Sequence, residues 1–583
     1  MTQLVLIPRS SCVLFTKTRP SYLNRLLPCL LITARKMSQE YKLKGLCKLD
    51  LNPGEKKEVE VEGVEGGKVL LCNVNGSISA IGSKCTHYGA PMIKGILTPD
   101  GRVTCPWHGA CFKASNGDIE NAPALDALPT FKLFEKNGSV FITGDKETIT
   151  SSRRKPNVRV SSLAQDVKVL VIGGGSAALA IIEALRENKF NGLITMITDE
   201  GYLPIDRTKL SKALIDDPSK ILLRDEEWFK FGSIEVIKDE VTAIDTSSKK
   251  VLTRGGCSYK FTKLVLATGG VPRFPPLPGL KELSGIFPLR TVHHTKAINQ
   301  AIGSKGKKIV IIGSSFIGLE VANAVAKDND TTVVGRDDAP LARIMGKDVG
   351  KLIQKAFEKN GVKFYSSADV TGAFPSQSDP SKVGGVQLKD GTKLEADVVI
   401  LGTGVAPATN FLKDNSTIKL LNDGSIKTNE YFVVDGQQDI YAIGDIATFP
   451  YHGPAGNGIP IRIEHWNVAQ NAGRIAAAHI VSSNSVPTTF IPIFWSALGS
   501  QLRYCGNSCN GWDDIIIKGQ PDELKFVVYY TKGETIIAVG SIGFDPIVAQ
   551  ASELMRREAM PSRSEILKNV DILQIDSPIP VKI

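Results

Sequence analysis

A chain of 583 residues is too long for one hydrophobic core, and at about 150 residues per domain it should divide into three or four. Its composition, 42% hydrophobic and 22% charged, is that of a globular protein. The net charge of +10 does not mark a nucleic-acid binder, because residues 1–39 hold six Lys or Arg and no acid, leaving +4 for everything after them. No run of 18 apolar residues is present, the longest candidate near Leu26 to Thr33 being broken by Pro28, so a soluble chain without a transmembrane segment is expected.

Residues 1–36 place Arg9, Lys17, Arg19, Arg25, Arg35 and Lys36 among Ser, Thr and Leu, the acid-poor composition of a mitochondrial transit peptide. Met37 offers a second start. The expected location is mitochondrial if the leader is used and cytoplasmic if translation begins at Met37, and a disordered leader without import function fits the same composition.

From residue 41 to 145 short β-runs alternate with glycine turns: Val69 to Val74, Ile78 to Ile81, Val103 to Cys105, Phe131 to Phe134 and Val140 to Thr143. This predicts a small all-β domain. Its loops carry Cys85-Thr86-His87 and, after seventeen residues, Cys105-Pro106-Trp107-His108. Two thiolates for one iron and two imidazoles for the other form a Rieske [2Fe-2S] ligand set. Zinc also takes two Cys and two His, but zinc ribbons rarely mix Cys-x-His with Cys-x-x-His. The remaining eight cysteines are dispersed, and no structural disulfide is expected beside a cluster that needs reducing conditions.

Residues 146–166, polar, basic and Ser-rich with Pro156, are expected to be an interdomain linker. At Val167 the period changes to strand–helix alternation, which runs to about residue 480. Its first unit, "VLVIGGGSAALA", sets Gly173, Gly175 and Ala178 at the G-x-G-x-x-A positions of a dinucleotide site, and Asp199 ends the next strand where a ribose carboxylate is needed. Asp445 in "IYAIGDIATF" can serve a ribityl hydroxyl, and "KLVLATGG" brings backbone near the same cofactor. Together these describe an FAD-binding domain, 167–288 and 409–487, interrupted by an insertion.

The insertion, 289–408, carries a second fingerprint, "KIVIIGSSFIGLEVANAVA", with Gly313, Ser315 and Gly318 in place, and is expected to bind NAD(P)H. At the end of its second strand Gly335 replaces the usual acid and Arg336 follows, which favours the 2′-phosphate of NADPH; Asp337 and Asp338 are near enough to favour NADH instead. Residues 488–583 read as a C-terminal α/β lobe and a candidate oligomer interface.

The motifs "CPWHGACF", "LPIDRTKLSK", "GSSFIGLEVA", "AIGDIATFP" and "IEHWNVAQNAGR" occur together from about residue 41 to the end. In this the chain resembles the apoptosis-inducing-factor-like proteins with an N-terminal Rieske domain, and its flavin part is similar to the ferredoxin reductases of bacterial oxygenases. The resemblance implies that Arg207 and Lys212 contact FAD, that Glu320 pairs with Lys212 beside the nicotinamide, and that Trp466 and Trp495 match aromatic positions flanking the flavin ring, where either residue fits ordinary core equally well. Ile205 stands where relatives often carry Tyr.

Two absences narrow the chemistry. The superfamily's disulfide reductases carry Cys-x4-Cys after the first fingerprint, whereas Cys257 is the sole cysteine between Gly201 and Lys260. Respiratory Rieske proteins bridge their arms through an extra cysteine pair; Cys111 has no such partner, and Gly109 and Ala110 bring no hydroxyl to the sulfurs. A potential at the low end of the Rieske range, about −150 mV, is therefore expected. The expected activity is electron transfer from NADH or NADPH through FAD to the cluster and on to an acceptor the residues do not identify, possible acceptors including a protein. A signalling or death-promoting scaffold is the alternative that the resemblance allows, whereas an oxygenase is disfavoured because no iron-binding triad is visible among His293, His294, His452, His465 and His479.

Overall fold

The computed structural model describes residues 39–575; the basic leader lies outside them. The N-terminal module is all β. Six strands pair antiparallel in the order Gln39–Lys42, Ser139–Gly144, Thr130–Lys136, Ser77–Gly82, Lys68–Val74 and Lys56–Glu60. A second sheet of four short strands, Ile96–Leu97, Arg102–Thr104, Cys111–Lys113 and Ile119–Asn121, carries the ligand loops. A core of Leu70, Ile81, Met92, Val103, Phe112 and Leu128, each 0% exposed, fills the space beneath those loops.

The expected linker 146–166 is only partly a linker. Asp145 caps a helix, Lys146–Ser151, by accepting the Thr148 N–H, and that helix buries Ile149 against the β-module. Arg154 then bridges to Ala127, and the next strand begins at Ala164, before the residue at which the linker was expected to end.

Two parallel five-stranded sheets follow. The first runs Ile234–Lys238, Gly192–Thr198, Ala164–Ile172, Lys263–Leu266, Ile440–Ala442. The second runs Ile286–Pro288, Val398–Leu401, Lys308–Ile312, Asp330–Val334, Lys363–Tyr365. Ile286–Pro288 thus belongs to the inserted domain and not to the FAD part, because it pairs with Val398–Leu401. Parallel strands buried on both faces read as apolar runs, as Val169–Ile172 and Ile309–Ile312 do.

The helix Ser176–Glu187, rich in Ala and Leu, is buried along almost its whole length because Trp466–Val481 covers its outer side. Gly473 permits that approach, since a Cβ there would stand 2.8 Å from the Ala177 carbonyl oxygen. The C-terminal lobe is an antiparallel sheet, Ile493–Ala497, Gln501–Gly506, Thr535–Ile542, Lys525–Lys532, Asp514–Gln520, backed by the helix Ile547–Arg556. No helix among the described residues is long and apolar enough to cross a membrane.

Candidate functional site

The two ligand arms are one loop used twice. In Cys85 to Ala90 and Cys105 to Ala110 the cysteine N–H donates to the alanine carbonyl at 2.8 Å, and the glycine N–H returns to the cysteine carbonyl at 2.8 and 3.3 Å. Gly89 and Gly109 hold φ of +77° and +71°, the left-handed conformation such a tight return requires. Each sulfur is faced by two backbone N–H groups, of His87 and Tyr88 for Cys85 and of His108 and Trp107 for Cys105.

The hydrogen bond between the two thiols, reinforced by burial, pushes the Cys85 thiol above its ordinary range. Burial opposes ionisation of Cys105 as well, but the bond from Cys85 and the backbone donors outweigh it and lower its pKa. His87 and His108 turn their Nδ1 atoms towards each other at 3.1 Å. Burial lowers His87 to about 4 and His108 further, so both imidazoles are neutral at pH 7, as metal ligation demands. Among the described residues no three His, Cys, Asp or Glu gather at one point. A thiol pair and an imidazole pair fit the two irons of a [2Fe-2S] cluster. Cys111 is unbridged, its thiol pushed up to about 12 by burial.

A cavity of about 980 Å³ runs from the first fingerprint to the C-terminal lobe. Gly173, Gly175, Asp199, Arg207, Lys212, Glu320, Asp445, Trp466 and Trp495 all line it. Gly173, with φ of +117°, lies where a Cβ would collide with the Ala267 carbonyl, whereas a Cβ on Gly175 would enter open space. Ala178 is fully buried in the helix beyond. Gly175 is the N-cap of that helix and brings no side-chain cap, so the first N–H groups are left for an anion in the cavity, and a dinucleotide pyrophosphate fits there.

Lys212 and Glu320 meet at 3.0 Å on the cavity wall. Glu320, 4% exposed, is held by Ser496 Oγ at 2.7 Å, the Ala497 N–H at 3.4 Å and the Ser211 hydroxyl. Arg207 is itself engaged, by Glu200 at 2.6 Å and the Arg290 carbonyl at 2.7 Å, and Asp445 pairs with Arg290 at 2.8 Å. Glu200 and Arg290 were not anticipated; each has a partner distant in sequence or sits beside the residue chosen. Trp466 opens the helix that crosses the first fingerprint helix.

The second fingerprint repeats the first. A Cβ on Gly313 (φ +111°) would collide with the Gly402 carbonyl and one on Gly318 with the Gly313 carbonyl, while Ser315 Oγ donates to the Gly402 carbonyl at 3.1 Å. Gly335 is glycine because Ser314 fills the space of its side chain. Asp337 is paired with Arg343 at 2.9 Å and Asp338 with Lys347 at 2.5 Å, whereas Arg336 is exposed and has no ion-pair partner among the described residues.

Trp495 joins the two halves of the site. It lines the cavity, and its ring lies 4.4 Å from that of His108 and 5.2 Å from that of His87. The β-module is held there by Asn467 and Asn471, which bond Ala122 at 2.7 and 2.9 Å, by Asp126 with Arg224 at 2.8 Å, and by Glu553 with Arg102 and Thr104.

Two nucleotide-binding folds, a cavity fitted to a flavin and a Rieske ligand set define a flavoprotein oxidoreductase with its own iron–sulfur module. Family models agree: Rieske [2Fe-2S] domain over residues 43–132, pyridine nucleotide-disulphide oxidoreductase over 167–473 and reductase C-terminal over 493–573. The chain belongs to the pyridine nucleotide-disulphide oxidoreductase family. It is 37% identical over 517 residues to Apoptosis-inducing factor 3 of Homo sapiens, covering 87% of this chain and 82% of that protein. It is 30% identical over 382 residues to Rhodocoxin reductase of Rhodococcus erythropolis, 64% and 86% of the two chains. The reductase in the covalent putidaredoxin reductase–putidaredoxin complex superposes with a TM-score of 0.65 at 26% identity, over 70% of this chain and 98% of that one.

Proposed function

We propose that this chain is an NAD(P)H oxidoreductase that passes electrons through FAD to its own Rieske [2Fe-2S] cluster and from there to an external acceptor. The observation that carries this is Trp495, in the cavity wall on one side and against both ligand imidazoles on the other. Bound FAD supplies conversion of a two-electron donor's equivalents into the single electrons a cluster accepts. The chain's own residues set the geometry. Gly175 and the uncapped helix would hold the pyrophosphate and Asp199 the ribose, and the Lys212 ammonium, steadied by Glu320, would lie against the bound flavin in the same cavity. The solved complex named above joins a reductase to putidaredoxin, whereas here the iron–sulfur module is part of the same chain.

Anaerobic addition of NADH or NADPH tests the proposal: both flavin and cluster absorbance should bleach, and a reduced flavin beside a permanently oxidised cluster would refute it. We read the donor as NADPH, supported by the unpaired Arg336 and the engagement of Asp337 and Asp338. Arg336→Ala should raise KM for NADPH roughly tenfold, the loss of one charged hydrogen bond of about 1.5 kcal/mol, and spare NADH. An equal effect on both donors would sink that assignment. The leader's acid-free composition supports mitochondrial import, which a fluorescent fusion of residues 1–36 would test.

A further inference from the structure

Arg503 is the direct cross-strand partner of Trp495 in the C-terminal sheet. Residues opposite one another on antiparallel strands project from the same face, so Arg503 leaves the sheet on the side where Trp495 meets His108 and His87. It is 4% exposed, and its Nε is buried without a hydrogen-bond partner. Nη1 donates to Gln501 Oε1 at 3.0 Å, and its ion-pair partner among the described residues is Asp545, at the long distance of 3.6 Å. A buried, under-satisfied guanidinium is costly and calls for an anion nearby. The candidates are the ligand arms, which lie against this face of the sheet: Trp495 meets both imidazoles there, and Ile493, two residues along the same strand, comes up against Gly109 of the second arm. The Arg503 charge is one of the smaller influences on Cys105 and His108.

We propose that Arg503 is a charge-compensating residue for the cluster held by Cys85, His87, Cys105 and His108, favouring its reduced form while the Rieske domain is docked. With two thiolates and two neutral imidazoles the oxidised cluster is electrically neutral, and reduction adds one electron and one negative charge with no bond made or broken. The electron comes from the flavin side. A buried cation is little screened by salt and stabilises that added charge. Asp545 offsets part of the Arg503 field, and the two residues should act with opposite sign.

The inference rests on the Rieske reading of the arms. The test is a redox titration of the full-length protein loaded with cluster and flavin, followed by the cluster's circular dichroism or EPR signal. Arg503→Gln should shift the oxidised-to-reduced ratio about tenfold towards oxidised at a fixed poise, equivalent to about 59 mV for one electron. Arg503→Lys should recover most of the shift, and Asp545→Asn should move the ratio towards reduced. Loosened docking would move Arg503→Gln and Asp545→Asn the same way. A wild-type potential in Arg503→Gln, or a lowered one in Asp545→Asn, overturns the proposal. Protein that binds flavin but gives no Rieske signal overturns the reading of the arms itself, so the two failures are distinguishable.

Discussion

Replacing Glu553 with Ala should loosen the Rieske domain from the C-terminal lobe without touching the flavin cavity. The Glu553 side chain is 4% exposed and accepts from Thr104 Oγ1 at 2.8 Å, from Arg102 Nε and Nη2 at 3.3 Å each, and from Arg556 Nε at 2.8 Å. Removing one member of a buried pair costs about 3–5 kcal/mol. Arg102 would keep Glu120 at 2.8 Å and Asn121, and Arg556 would keep Asp100 at 2.8 Å. These remaining partners put the loss at the lower end, about 3 kcal/mol, or roughly a hundredfold in the docking equilibrium. The covalent connection holds the two modules at an effective concentration of about millimolar, so the domain stays nearby but spends less time docked. In anaerobic stopped flow with NAD(P)H the flavin should bleach at the wild-type rate while cluster bleaching slows about tenfold or more. Glu553→Gln, which keeps volume and a polar contact but no charge, should fall between. Wild-type cluster reduction in Glu553→Ala, with unchanged hydrogen exchange over residues 97–111, would refute the reasoning.

Glu320→Gln preserves shape and one acceptor oxygen, where the carboxylate accepts from Ser496 through Oε1 and from Ser211 through Oε2, and it removes the charge facing Lys212 at 3.0 Å, so flavin reduction should slow about tenfold with FAD content unchanged. Cys105→Ser should abolish the cluster's visible and EPR signals while flavin absorbance and its reduction by NAD(P)H persist. Gly109→Ala should slow cluster reduction, because a Cβ there collides with Ile493 Cδ1 and the residue is held at φ +71°. Adding Ile493→Ala should restore the steric part only, leaving about 1–2 kcal/mol of left-handed backbone strain.

Much of this architecture was legible because its determinants are local. Gly173 and Gly313 each sit where a side chain would strike a carbonyl just past the end of a neighbouring strand, at Ala267 and Gly402, and the fingerprint spacing records that need directly. The ligand arms are equally local, each closed by its own Cys-to-Ala and Gly-to-Cys bonds. What composition misjudged was the stretch after Asp145, where one cap and one buried side chain, Ile149, make a helix out of polar sequence. The FAD boundary drifted because Ile286–Pro288 is claimed by Val398–Leu401, a pairing with no local trace. For the same reason the docking residues were invisible: Arg102 and Glu553 are 451 positions apart, and neither lies in a motif. Sequence neighbours alone set the expected potential of the arms, and Arg503 reaches them from a different domain.

The seam between the Rieske module and the reductase contains buried charge pairs, and these bear on electron transfer. Asp126 is fully buried between Arg224 and Arg153, each at 2.8 Å, and Glu553 is nearly so. Desolvation offsets most of what such pairs gain, so they add little net strength. The hydrogen bonds of Arg153 to Asp126 and of Arg102 and Thr104 to Glu553 are directional, however, whereas apolar contact is not, and a slide of an ångström breaks them. The contact they protect is the 4.4 Å approach of His108 to Trp495, which depends on register and not on affinity. The double variant Arg102→Met/Glu553→Leu separates these two properties. It should leave docking as stable as in the wild type, or more stable by about 1–4 kcal/mol, as judged by hydrogen exchange. Cluster reduction should nonetheless slow, because an apolar patch holds the domain without fixing its orientation. If the double variant reduces its cluster at the wild-type rate, the register is set elsewhere on the seam, by Asp126 and the Asn467 and Asn471 bonds to Ala122.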